Sequence, residues 1–113
     1  MKRERRVSPL ARIPMTVESV HWETDEAGRV TLLVENAGWA NRLAQRLFRR
    51  PRHSRVLLDV LGSYVWRQID GRRSVARLGE LVETQFGETA HPLYERLYGY
   101  LQVLHSYGFV RWA

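Results

Sequence analysis

Three apolar segments after residue 58, each bounded by residues that start or end helices, constrain the fold more than any other feature of this sequence. Asp59 and Ser74 can accept hydrogen bonds from the first free N–H groups of a helix. Gly71 and Gly87 suit the left-handed conformation that often follows a last helical turn, and Gly108 closes the third segment. The pattern therefore predicts three short helices.

Each segment carries apolar residues at helical spacing, which marks the face that turns inward. The third segment begins at Pro92, a residue type favoured in the first turn of a helix. The residues predicted to face inward are Leu61, Val65, Trp66 and Ile69 in the first segment, Val75, Leu78, Leu81, Val82 and Phe86 in the second, and Leu93, Leu97, Leu101 and Leu104 in the third.

Strands are predicted on the N-terminal side of these helices. Residues 20–24 and 30–34 alternate between apolar and polar side chains, and residues 25–28 indicate a turn in which Gly28 takes a positive φ. The apolar run from Val56 to Leu58 predicts a third strand, and residues 109–112 predict a short final one. The order predicts an α+β, winged-helix-like fold, with a small antiparallel three-stranded sheet followed by three helices.

A further amphipathic helix is predicted between the second and third strands, over residues 39–50, and Pro51 ends it. Its apolar stripe is Trp39, Ala40, Leu43, Ala44, Leu47 and Phe48. Its opposite face carries Arg42, Arg46, Arg49 and Arg50. No acidic residue lies between Glu35 and Asp59, so the net charge of +6 is concentrated locally. The arginine face either binds phosphate or an acidic protein surface, or is a solvated outer face; a membrane surface is a weaker alternative.

Length and composition narrow the class of protein. A chain of 113 residues has room for one domain, and we expect a flexible basic tail over residues 1–16 followed by a single domain over residues 17–113. The charged start is not followed by an apolar stretch, and no segment has the length of a membrane span, so we predict a cytoplasmic location.

The sequence offers little for catalysis. It has no cysteine, which excludes disulfides and thiolate metal sites. The four histidines and the carboxylates do not form a metal-binding or acid–base pattern, and no nucleophile or phosphate-binding motif occurs. We therefore predict a binding protein that is not an enzyme and needs no metal or cofactor.

Two tyrosines of the last helix are candidates for recognition. Tyr94 and Tyr98 are four residues apart and so share one helix face. Exposed tyrosines suit a binding surface because they bring a large contact area. The alternative is that they widen the apolar stripe and belong to the core.

From Val56 onward the sequence resembles the PqqD-like family, small domains that are also called recognition elements for ribosomally synthesised and post-translationally modified peptides (RiPPs). Over residues 58–75 the resemblance reads Leu-Asp-x-x-Gly-x-x-Val-Trp-x-x-Ile-Asp-Gly-x-x-Ser-Val. It continues through Leu78, Val82, Phe86-Gly87, Leu97, Leu101, Leu104 and Gly108-Phe109-Val110, and it includes the hairpin at residues 20–34.

The resemblance implies a non-catalytic adaptor that holds the leader of a RiPP precursor and presents it to a modifying enzyme, often a radical SAM protein. In the family, the leader adds as a strand beside the third strand and rests against the helices. By position, the peptide-binding residues would be His53, Ser54, Arg55, Val56, Leu57, Leu58, Tyr94 and Tyr98. The predicted helix over residues 39–50 departs from the family, and it either covers the third strand or forms a wall of a wider groove.

Nucleic-acid binding is the alternative function, since many winged helices bind DNA. A base-reading helix normally presents basic and amide side chains. The last helix offers Arg96 beside Glu95, and the helix before it sets Arg77 against Glu80 and Glu83. DNA binding would therefore depend on the arginine-rich helix and would fall steeply with salt. We favour peptide recognition.

Overall fold

The computed structural model describes residues 8–35 and 53–113. The strands are β1 (Pro14–Thr16), β2 (Val20–Thr24), β3 (Val30–Glu35), β4 (His53–Leu57) and β5 (Val110–Trp112), and the helices are α1 (Val60–Gln68), α2 (Val75–Phe86) and α3 (Leu93–Ser106). Short 3₁₀ turns occur at Pro9–Ala11 and Gly87–Ala90. The α+β class is confirmed, as is the antiparallel three-stranded sheet followed by three helices. The helix predicted over residues 39–50 lies outside the described residues.

The chain divides into two units. One comprises residues 18–63 and holds β2, β3 and β4; the other comprises residues 1–17 and 64–113. Helix α1 begins in the first unit and ends in the second.

The unit of residues 18–63 is built on the sheet β2-β3-β4, which is antiparallel throughout. The predicted hairpin is confirmed: the Asp25 carboxylate accepts hydrogen bonds from the N–H groups of Ala27 and Arg29, both at 2.9 Å. Gly28 takes a φ of +85°, a conformation that side chains other than glycine rarely adopt. This turn fixes the pairing of β2 with β3 from Val20↔Val34 to Thr24↔Val30.

A buried serine joins the sheet to the start of α1. The Ser63 hydroxyl accepts a hydrogen bond from the Val30 N–H at 2.8 Å and donates one to the Leu58 carbonyl at 3.3 Å. The Leu58 N–H in turn donates to the Val30 carbonyl at 2.8 Å. Asp59 acts as the predicted helix cap, since its carboxylate accepts from the Gly62 N–H at 2.7 Å. All four main-chain groups of Val30 and Leu58, both buried residues, are therefore satisfied at this point.

In the other unit, α2 and α3 supply most of the core. The Ser74 hydroxyl accepts from the Arg77 N–H at the start of α2, as predicted, and Gly87 ends this helix with a φ of +57°. Buried core side chains include Val65, Trp66, Val75, Leu78, Val82, Leu97, Leu101 and Leu104, all of which were predicted to face inward. Before α2, the N–H groups of Arg73 and Arg72 donate to the Asp70 carboxylate, which lowers the pKa of that group.

The N-terminal segment differs from the predicted tail, because residues 14–16 form β1 and pair antiparallel with β5. The Val17 N–H donates to the Phe109 carbonyl at 3.0 Å, and the Ala113 N–H donates to the Ile13 carbonyl at 2.8 Å. Since hydrogen-bonded positions alternate, Pro14 lies where its nitrogen, which has no proton, points away from β5. No local pattern in the sequence indicates this pairing, which joins residues near the two ends of the described chain.

We predict that Ser63→Ala lowers the free energy of unfolding by about 1–3 kcal/mol, because it leaves the buried Val30 N–H without an acceptor. Urea denaturation measures this change. Ser106→Ala is the matched control: Ser106 is exposed and donates to the Val103 carbonyl, so its loss should cost less than about 0.5 kcal/mol. Equal losses in the two variants would contradict this role for Ser63.

Candidate functional site: an unpaired strand edge

The register of β4 decides which of its main-chain groups are used inside the sheet. Leu58 donates to Val30, and these two residues lie directly opposite each other in the register that continues as Leu32↔Val56 and Val34↔Ser54. In an antiparallel ladder only alternate pairs exchange hydrogen bonds. The main-chain groups of residues 54, 56 and 58 therefore face β3, and those of residues 53, 55 and 57 face the opposite edge.

That opposite edge is open in the described part of the molecule. Strand order in the sheet is β2-β3-β4, so β3 is paired on both sides and β4 on one. Within residues 8–35 and 53–113, no strand pairs with the outer edge of β4. The N–H and C=O groups of His53, Arg55 and Leu57 are therefore placed to pair with an added strand.

Side chains alternate across β4 in the same way. Val56 is half-buried and lies opposite Leu32, whose side chain is fully buried. Arg55 and Leu57 point to the other face, where Arg55 is exposed and Leu57 is 57% exposed. Arg55 and Leu57 thus combine outward main-chain groups with accessible side chains. An added strand would meet a cation and an apolar surface two residues apart.

Leu58, also predicted to take part in peptide binding, is placed differently from Arg55 and Leu57. It lies one residue beyond β4, and its side chain is only 6% exposed. Its N–H donates to Val30, and its carbonyl accepts from the Ser63 hydroxyl and from Arg29 Nε at 3.1 Å. Both the side chain and the main-chain groups of Leu58 are therefore used within the sheet unit.

Tyr98 lies in the other unit and already has partners there. Its hydroxyl accepts a hydrogen bond from Arg12 Nη1 at 3.0 Å, and its ring stacks on Trp112 with 5.7 Å between the ring centroids. The Arg12 guanidinium lies 4.2 Å from the centre of the Trp112 ring, a cation–π contact. The sequence reasoning missed Arg12 and Trp112, because about a hundred residues separate them and no periodic pattern links the two.

Tyr94 packs on a neighbouring helix of the same unit. Its side chain is 36% exposed, and its hydroxyl donates to the Ala76 carbonyl of α2 at 3.4 Å. A Cβ atom added at Gly79 would lie 2.3 Å from the Tyr94 ring, so the missing side chain of Gly79 makes the room for that ring. The contacts of both tyrosines match the alternative in which they extend the packing around α3.

The remaining predicted site residues are placed only in part. His53 and Ser54 belong to β4 by their main chain. The arginines predicted to form an anion-binding face, Arg42, Arg46, Arg49 and Arg50, lie outside the described residues. Among the residues that the structure does describe, there is no cluster of three side chains suited to hold a metal ion. In those same ranges, none of the helices has the length and apolar character to cross a bilayer.

These features define a class: small α+β proteins in which a three-stranded sheet, its last strand paired on one side only among the described residues, precedes three helices. The family model for Coenzyme PQQ synthesis protein D (PqqD) matches residues 50–110, which is more than half of the chain. The chain therefore belongs to the PqqD family, as its sequence predicted. The match includes β4 and all three helices, whereas the β2–β3 hairpin lies before it. No curated protein and no solved structure matches the chain.

We predict that amide exchange alternates along β4 in the free protein. The Val56 and Leu58 amides should exchange slowly because they donate to β3, and those of Arg55 and Leu57 should exchange rapidly because they point outward. Hydrogen–deuterium exchange followed by NMR measures each amide separately. Slow exchange at Arg55 and Leu57 would show that another part of the chain already covers the edge.

A second prediction concerns the contact of Tyr94 with Gly79. In the natural chain, Gly79→Ala should lower the free energy of unfolding, because the new methyl group displaces the Tyr94 ring. In a Tyr94→Ala background, the same change should raise it by up to about 1 kcal/mol, since alanine favours helix more than glycine does. Thermal or urea unfolding of the natural chain, the two single variants and the double variant measures both effects in a double-mutant cycle. An effect of the same sign in both backgrounds would show that the ring does not occupy this space.

Proposed function

We propose that this protein is a non-catalytic adaptor that binds the leader of a ribosomally made precursor peptide as an added strand on β4 and presents it to a modifying enzyme. The observation that carries the proposal is the row of outward main-chain groups at His53, Arg55 and Leu57, which no described strand pairs with. Membership of the PqqD family supports the same role, since proteins of that family are peptide-binding chaperones.

The energetics of strand addition fit a moderate affinity. Three residues with outward groups offer six main-chain hydrogen bonds at about 0.5–1.5 kcal/mol each. A micromolar complex requires about 8 kcal/mol, and ordering the peptide adds a further cost. Apolar burial must therefore contribute, and Leu57 and Val60, 57% and 63% exposed, offer apolar surface within the same unit.

Two finer features of the proposal come from the sequence and from the family resemblance. We propose that the modifying enzyme is a radical SAM protein, the kind of partner that the resemblance implies. We also propose that the architecture is winged-helix-like, with an inserted basic helix over residues 39–50. The arginines of that helix would suit an acidic segment of the peptide.

The proposal predicts salt-tolerant peptide binding that protects β4. The probes are synthetic leader segments of any short open reading frames found beside the gene for this protein, with scrambled versions as controls. Titrated into isotope-labelled protein, a leader should bind with a micromolar dissociation constant and slow the exchange of the Arg55 and Leu57 amides. Mixed-sequence duplex DNA is the competing probe, and its binding should weaken steeply between low and moderate salt. Tight DNA binding with unchanged β4 amides would contradict the proposal.

A proline variant tests the main-chain contact itself. Arg55→Pro removes an N–H that points away from β3, a position where an edge strand tolerates proline. The variant should therefore stay folded but bind the leader at least about tenfold more weakly than Arg55→Ala does, since only the proline lacks the main-chain donor. Calorimetric titration compares the two variants, and circular dichroism checks that both are folded. Equal affinities would show that the leader does not pair with this edge.

A further inference from the structure

Two exposed side chains of β4 stand beside its unpaired edge. Arg55 and Leu57 are two residues apart, so they share one face of the strand. Arg55 is exposed, and the ion pairs found in the described residues involve other side chains: Arg73, Arg77 and His91. Leu57 is 57% exposed although it is apolar. Both side chains are therefore accessible to a strand that pairs with β4.

The residue directly opposite Arg55 on the inner side of the sheet carries no charge. Arg55 lies opposite Leu33 on β3, and Leu33 lies opposite His21 on β2. Directly opposite side chains in such a sheet have Cβ atoms about 5 Å apart, whereas side chains two strands away are about 10 Å apart. An opposite charge directly across from Arg55 must therefore come from the outer side, where an added strand would lie.

The direction of the added strand determines the order in which its residues lie opposite Leu57 and Arg55. Every pair in this sheet is antiparallel, and antiparallel pairing uses the alternate outward groups of residues 53, 55 and 57 with slightly better stability per residue than parallel pairing. Followed from its N-terminus, an added antiparallel strand lies first opposite Leu57 and, two residues later, opposite Arg55. The guest residues opposite these two positions are also two apart.

We propose that Leu57 and Arg55 select the peptide by a three-residue pattern, read from its N-terminus as apolar, any residue, acidic. This inference rests on the proposed strand addition at β4. The apolar residue lies across from Leu57, and the acidic residue lies across from Arg55, where opposite charges attract. The middle residue points to the other face of the added strand.

Selection from a random library tests the pattern without knowledge of the natural peptide. Displayed twelve-residue peptides are selected on the immobilised full chain, on Arg55→Glu, and on Arg111→Glu as a matched control. Arg111 is an exposed arginine in β5, so its replacement changes the net charge equally but leaves β4 intact. The natural chain and Arg111→Glu should enrich the apolar-x-acidic pattern. Arg55→Glu should enrich a basic residue at the acidic position and keep the apolar one.

Binding constants of synthetic peptides then give the size and direction of the effect. The natural chain should prefer an enriched peptide over its acid-to-lysine version by about three- to tenfold, as expected for one exposed cross-strand charge pair and its reversal. Arg55→Glu should invert this preference, and Arg111→Glu should keep it. A peptide with the order acidic-x-apolar should bind more weakly than the enriched one.

Two kinds of failure can be told apart through the β4 amides. If enriched peptides slow the exchange of the Arg55 and Leu57 amides but show no acidic preference, or show one that Arg55→Glu does not alter, the three-residue pattern is wrong and strand addition stands. If no peptide is enriched, or if enriched peptides leave those amides unchanged, strand addition is wrong, and this inference is overturned with it.

Discussion

The register between β3 and β4 is the constraint on which the account of this protein depends. It is held at one end by the reciprocal bonding of Val30, Leu58 and the Ser63 hydroxyl, all of it away from water. Because side chains alternate along a strand, a slip of one residue would turn Arg55 and Leu57 toward the core and point the main-chain groups of Val56 outward. The buried serine thus helps to hold the register that decides which groups lie at the outer edge of β4.

An unpaired strand edge can bind a peptide, but it can also lead to self-association, since edge strands pair readily with one another. Natural proteins often place charged side chains on such strands to prevent self-association, and Arg55 is placed in this way on β4. Two copies of β4 paired antiparallel about Arg55 would bring two cations together. If a peptide adds to β4 as proposed, the side chain that opposes pairing with a second copy would also favour a peptide of opposite charge.

Much of the fold could be predicted from the sequence because its signals are local. Caps at Asp59 and Ser74, a glycine at position 87 and the hairpin turn at residues 25–28 each act over a few residues, and each is confirmed. The pairing of β1 with β5 and the Arg12–Trp112 contact could not be predicted, since they join distant residues that carry no shared pattern. For the site, the sequence indicated the strand near residues 53–58. Which main-chain groups of β4 face outward, and that the Leu58 side chain is buried, could be found only from the register of β4 with β3.

Addition of a peptide to β4 as an antiparallel strand can be tested by methylating the backbone nitrogens of a bound peptide one at a time. Each methyl group removes one N–H donor and adds bulk at that point. If the peptide pairs with β4, affinity should fall at every second residue, where the N–H donates to His53, Arg55 or Leu57, and should change little at the residues between. A uniform loss along the peptide, or no loss at any residue, would contradict strand addition.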